Sequence, residues 1–177
     1  ALGLLAAIAA PASAQDGLST YRNDRHGFTV SYPTAQFIAL PAATEDARLF
    51  VSTDDKARLL VGTLENTDGR SLAEYRAFLL RESYAGATID YAPQRDTWFV
   101  LSGIRNGTNF YQRVTFSCGG RKINSWAMLY PVADKATYDR VVEQVHEAGQ
   151  QCPEAEVVLL AVAEAEVVIA GGFGRCI

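Results

Sequence analysis

The 177-residue chain is 49% hydrophobic and 20% charged, with a formal net charge of −4. That balance excludes wholesale disorder and offers no basic run to a phosphate backbone, so nucleic acid is not expected as a partner. Three cysteines and two histidines show neither a Cys-x-x-Cys motif nor Cys/His ligand spacing, so no metal and no cofactor are expected.

The chain opens on an uncharged Ala/Leu-rich run ending in Pro11-Ala12-Ser13-Ala14, followed by polar Gln15-Asp16-Gly17. The small-x-small spacing suits a signal peptidase, and the run is too short to span a bilayer, which needs about 20 apolar residues. Residues 1–14 are read as the end of a signal peptide whose basic region lies ahead of Ala1. No Cys stands at the cleavage site to take a lipid. Cleavage leaves about 160 residues, enough for one domain with a real core. That domain is placed over 15–152, and residues 153–177 form a tail of uncertain structure.

Residues 15–27 are polar and read as an N-terminal arm. Phe28-Thr-Val-Ser-Tyr32 alternates apolar and polar residues, the period of a half-buried strand, and Pro33 stops it. Strands follow at 48–52 and 58–64, with Thr53-Asp54-Asp55-Lys56 as the hairpin turn between them. Ser71-Leu-Ala-Glu74 is a capping box that opens a helix to about residue 85, with Leu72, Tyr75 and Leu79 on one stripe and Gly86 as its stop.

Four further strands are predicted at 87–92, 97–105, 108–118 and 121–130. Asn106-Gly107 joins the middle pair, because both residue types tolerate the positive φ of a tight hairpin. Asn106-Gly-Thr108 also matches a glycosylation acceptor, but behind a bacterial-type signal it is read as the turn. Asp134 is read as the cap of a second helix over 135–148, with Tyr138, Val141, Val142 and Val145 at i, i+3, i+4 and i+7 and Gly149 at its end. In the tail, Glu-Ala-Glu-Val-Val occurs at 154–158 and again at 164–168, and its glutamates argue against a membrane span.

Strand 97–105 is apolar on both faces (Trp98, Val100 and Ile104 against Phe99 and Leu101), and such a strand needs cover on both sides. The class expected is α+β, an antiparallel sheet of about six to seven strands sandwiched by helices. The stretch Tyr21 to Pro33, with Gly27-Phe28-x-x-x-Tyr32-Pro33 at its core, resembles the opening of PsbP-like domains. The order three strands, helix, four strands, helix agrees with that family from Tyr21 to Cys152. Where the family carries a Trp shortly after the Pro, this chain has Phe37 as its nearest aromatic. The resemblance implies an α/β/α sandwich and an exported binding or assembly module without catalytic machinery.

Candidate chemistry is sparse. His26 beside Asp24 is the one candidate general base, but no Gly-x-Ser-x-Gly elbow supplies a nucleophile, and an exposed residue ahead of the strand is the plainer reading. His146 near the end of the second helix is read as a dipole partner. The oxygen-rich turns at Asp54-Asp55 and Glu65–Gly69 lack the alternation of an EF-hand loop, and Gly171-Gly172-Phe173-Gly174 lacks the Lys of a phosphate loop. Trp98, Trp126, Tyr111 and Tyr130 are read as sheet aromatics.

The odd face of strand 108–118, with Asn109, Tyr111 and Arg113, is the candidate partner surface, since Tyr and Arg are enriched in binding hot spots. Three thiols allow three pairings. Cys118, next to the Gly119-Gly120 turn, and Cys152, just past a helix that must fold back over the sheet, are the expected disulfide, leaving Cys176 free. The function expected is a non-catalytic binding or assembly module of the bacterial envelope, periplasmic or secreted, with an unknown protein or small-molecule partner. The alternatives are a small hydrolase using His26 and a carrier of an apolar small molecule.

Overall fold

The computed structural model describes residues 17–42, 44–148 and 152. The signal-peptide reading of residues 1–14, the tail 153–177 and Cys176 lie outside the described residues.

A seven-stranded antiparallel sheet forms the middle layer. Its strands are β3 (Phe37–Ala39), β4 (Ala47–Ser52), β5 (Arg58–Glu65), β6 (Thr88–Tyr91), β7 (Trp98–Arg105), β8 (Thr108–Ser117) and β9 (Lys122–Pro131), in the order β3-β4-β5-β9-β8-β7-β6. β7 and β8 are joined at Asn106 and Gly107, whose φ angles are 50° and 76°. These are the left-handed conformations that a two-residue hairpin demands and that Asn-Gly supplies at low cost. Phe99, Val100 and Leu101 are all buried, which is the double cover their two-sided apolarity requires.

One face is covered by α1 (Leu72–Glu82). Ser71 Oγ accepts the Glu74 N–H while the Glu74 carboxylate accepts the Ser71 N–H, so the capping box closes reciprocally. Tyr75 and Leu79 then bury against Phe99, Leu101, Phe110, Val114 and Ile123. The other face is covered by α2 (Lys135–Gln144) and by a second sheet of three strands. These are β1 (Leu18–Arg22), β2 (Thr29–Pro33) and β10 (His146–Ala148), with β2 in the middle. Phe28, Val30, Phe50, Leu59, Trp126, Met128, Tyr138, Val141 and Val145 fill the space between. Each fully buried side chain of this size is worth roughly 1.5–3 kcal/mol.

Several local expectations are corrected. The stretch 15–27 is not simply an arm, because Leu18–Arg22 pairs antiparallel with β2. Phe37–Ala39 is a short edge strand, too brief for its residues to show a strand period on their own. The second helix does not run to 148. It ends at Gln144, Val145 turns to extended backbone, and His146–Ala148 pairs with Thr29–Ser31. The β-branched valines weaken the helix, and the open edge of β2 offers the backbone other partners. Val145 is buried as expected, while Val142 is only half-buried. Asp134 does not cap α2 with its side chain. It ends a 3₁₀ turn, Val132–Asp134, and pairs with Lys56 at 3.0 Å.

Cys118 and Cys152 are joined by a disulfide, with Cα atoms 5.4 Å apart. It ties the region just past β10 to the turn between β8 and β9. Among the described residues, no helix is long and apolar enough to cross a membrane.

Candidate functional site

Between the sheet and the end of α2 lies a cleft of about 730 Å³. Its floor comes from the central strands. Tyr111 and Arg113 of β8 sit opposite Met128 and Trp126 of β9. Antiparallel partners share a face, so Tyr111, Arg113, Trp126 and Tyr130 all look the same way. Tyr111 stacks on Trp126, with ring centroids 5.2 Å apart, and Arg113 lies over the Trp98 ring at 4.2 Å.

One wall is α2 and the strand that follows it. Because β10 pairs Glu147 with Val30, the Glu147 side chain is carried inward with Val30, toward the main sheet. One carboxylate oxygen, Oε2, accepts the Thr115 hydroxyl at 2.7 Å and stands 3.5 Å from Arg113 Nε. The other, Oε1, is buried without a hydrogen-bond partner, and so is the indole N–H of Trp126. The indole N–H lies close enough to the carboxylate to favour its ionised form, although no hydrogen bond of good geometry joins the two. Burial nevertheless pushes the Glu147 carboxyl above its ordinary value, against the pull of Thr115 and Arg113. Higher on the wall, Asp139 accepts from Tyr130 Oη at 2.7 Å and from Lys135 Nζ at 2.6 Å. Burial opposes ionisation of Asp139, but these donors hold its carboxyl below its ordinary value.

The rim is made by β6, and a bulge aims it. Ile89 pairs with Gly103, but Tyr91 rather than Asp90 is the next residue in register, opposite Ser102. The extra residue moves Tyr91 onto the face that carries Tyr111, and both Asp90 and Tyr91 reach the cleft. The bulge sits where β6 crosses Gly103 closely: a Cβ there would stand 2.0 Å from the Thr88 carbonyl oxygen.

Two of the three residues predicted as a partner surface, Tyr111 and Arg113, therefore line the cleft. Asn109 does not. It is 2% exposed, between Ile104 and Tyr130, and its Nδ2 lacks a partner. Glu147, Asp139, Asp90 and Tyr91 were missed. On a helix continued to 148, Glu147 would lie on the side away from Tyr138, Val141 and Val145, and only the switch to strand turns it inward. Val145-His-Glu147 does not alternate apolar with polar residues, so nothing local announces the switch.

His26 is not an exposed residue ahead of a strand. It is 5% exposed, with its Nε2 at 2.8 Å from Asp46 Oδ1 and its Nδ1 at 3.0 Å from Lys122 Nζ. Lys122 also pairs with Glu65, and Arg25 reaches Asp46 at 3.0 Å. The Asp46 carboxyl is held below its ordinary value, first by the His26 hydrogen bond, and that of Glu65 by Lys122. An ammonium facing Nδ1 occupies the lone pair that a general base would use. The group reads as a polar clamp joining the loop before β2 to the ends of β5 and β9. In the turn before β5, the Asp54 carboxylate accepts from Ser52, Tyr138 and the Lys56 amide. No group of His, Cys, Asp or Glu suited to a metal occurs among the described residues.

No family model matches the chain, and no curated protein matches it by sequence. Solved structures do. The solution structure of cyanobacterial PsbP (CyanoP) from Synechocystis sp. PCC 6803 superposes with a TM-score of 0.54 at 16% identity, over 78% of this chain and 98% of that one. A variant of the protein Mog1 superposes with a TM-score of 0.51 at 13% identity, over 73% of this chain and 95% of that one. At these identities the likeness concerns architecture: the chain has the Mog1/PsbP-like fold.

Proposed function

We propose that the chain is a non-catalytic binding or assembly module of the bacterial cell envelope, and that its partner engages the cleft between α2, β10 and the main sheet. The observation that carries this reading is the unfinished inner end of that cleft. A buried carboxylate oxygen and a buried indole N–H stand there without hydrogen bonds. Such groups are costly to leave unmade, and a bound molecule is one way to complete them. The envelope location is supported by the Ala12-Ser13-Ala14 pattern and by the Cys118–Cys152 disulfide, which suits an oxidising compartment. The hydrolase reading loses support from the engagement of both His26 ring nitrogens.

Site-specific photocrosslinking in cells tests the cleft. Tyr91, at its rim, and Ile38, on edge strand β3, are similarly exposed, at 56% and 59%. A photoreactive side chain at 91 is expected to give a discrete adduct that position 38 does not. Equal labelling from both, or adducts from 38 alone, overturns the assignment.

The carrier reading rests on a second groove, on the opposite face beside α1. About 590 Å³ in volume, it is lined by Leu60, Tyr84, Phe110, Ala127 and Leu129. An apolar dye that fluoresces on binding, displaced by Leu60→Arg and untouched by cleft variants, would favour it.

A further inference from the structure

Granting that the cleft is the binding site, its charge and its aromatic walls define what it takes. Four carboxylates line it, from Asp90, Asp139, Glu143 and Glu147, against two cations, Arg113 and Lys135. Both cations are already committed. Lys135 is paired with Asp139, and Arg113 lies between the Trp98 ring and Glu147. Asp90 and Glu143 are exposed at the rim and have no ion pair among the described residues. The field of Asp90 reaches inward far enough to oppose ionisation of Tyr130. Two negative charges therefore remain uncompensated around an opening walled by Tyr91, Tyr111, Trp126 and Tyr130.

An anionic ligand would meet that excess directly, and a neutral apolar one would bury Glu147 without neutralising it. A planar cation meets most of these features, although with no acceptor of its own it leaves the Trp126 indole N–H to the Glu147 carboxylate beside it. It brings N–H donors for the orphan Oε1, positive charge against the two rim carboxylates, and a face that rests on aromatic rings. The chain demonstrates the same chemistry internally, with the Arg113 guanidinium held between an aromatic face and the same carboxylate. We infer that the cleft binds a guanidinium group, with Glu147 as its inner acceptor, Asp90 and Glu143 as its rim charges and Tyr91 and Tyr111 as its aromatic walls.

A free guanidinium compound and an arginine displayed by a protein partner share this chemistry, so the test carries both. The full chain is titrated by calorimetry with agmatine, with a blocked Ala-Arg-Ala tripeptide, with the same tripeptide carrying citrulline, and with glutarate. The guanidinium probes are expected to bind at least tenfold more tightly than citrulline or glutarate, and less tightly as salt rises. Tighter binding of the tripeptide than of agmatine identifies a partner's arginine as the source, and the reverse identifies a small molecule. Asp90→Asn and Glu147→Gln should each weaken binding severalfold, and Glu82→Gln, on the outer side of α1, should not. Asp90 is exposed, so its variant tests the idea without burdening the fold. Equal binding of arginine and citrulline peptides, a preference for glutarate, or no binding of either guanidinium probe to the folded chain overturns the inference. If position 91 still crosslinks to a partner in that event, the cleft remains the contact surface and only its chemistry has been misread.

Discussion

Removing the disulfide by Cys152→Ser probes both the fold and the site. The bond closes a segment with a sequence separation of 34, which contains β9, α2 and β10. The chain-entropy relation puts the stabilisation from closing such a loop at about 4 kcal/mol. A domain of this size loses stability in urea at about 1–3 kcal/mol per molar, so the midpoint should fall by about 2 M. The effect should not be uniform. β10 is held by three residue pairs to β2 and by the contacts of Glu147 with Thr115 and Arg113. With the disulfide gone, little else holds that strand, and its amides should exchange before those of β8 or β9. Because β10 carries Glu147, binding at the cleft should weaken in parallel. A midpoint shift below about 0.5 M, or a β10 as protected as in the parent, would refute this account. Non-reducing peptide mapping that links Cys176 instead would do so independently.

Three other outcomes are expected. The Asp54 carboxyl is lowered from the ordinary aspartate value of 3.8 to about 2, first by Ser52 and then by Tyr138. Its stabilising contribution is therefore complete above the ordinary value and lost as pH falls through about 2, so Tyr138→Phe should make the drop in melting temperature between pH 4 and pH 2 shallower. Glu147 runs the other way: its raised pKa means the folded state holds the proton more tightly, and stability is lost as pH rises past the ordinary glutamate value of 4.5. Glu147→Gln should thus raise the melting temperature more at pH 7 than at pH 4, and an equal change at both pH values would show that burial of the carboxylate is not what shifts it. Gly103→Ala places a Cβ against the Thr88 carbonyl and should cost about 1–3 kcal/mol while loosening β6, with an unchanged melting temperature as the contrary result.

The parts of the fold legible in the sequence are those set by neighbours in the chain. A capping box, an Asn-Gly turn and a two-sided apolar strand each place their own backbone, and α1, the β7–β8 hairpin and the buried middle of β7 follow from them. The failures have the opposite character. His26 sits in a polar stretch and reads as exposed, yet its partners Asp46 and Lys122 lie 20 and 96 residues away, and no local pattern announces them. Leu18–Arg22 is a strand only because β2 is there to pair with it.

The cleft shows how one local choice decides a site. Tyr138, Val141 and Val145 fit a helix stripe, and continuing that helix to Gly149 would have set Glu147 among solvated charges. The chain leaves the helix at Val145 instead, and the period of the pattern changes from 3.6 to 2. Val145 stays buried under both periods, so burial at that position does not discriminate between them. What discriminates is the unpaired edge of β2, whose N–H and C=O groups are satisfied by β10 and would otherwise need water or another chain. That pairing brings a carboxylate into the interior opposite Val30, beside the Arg113 that the sequence had already marked. The placement of Glu147 thus depends on β2 having an open edge, a tertiary fact invisible to any window of sequence around residue 147. The same dependence makes the site sensitive to whatever holds β10 in place, the disulfide first among them.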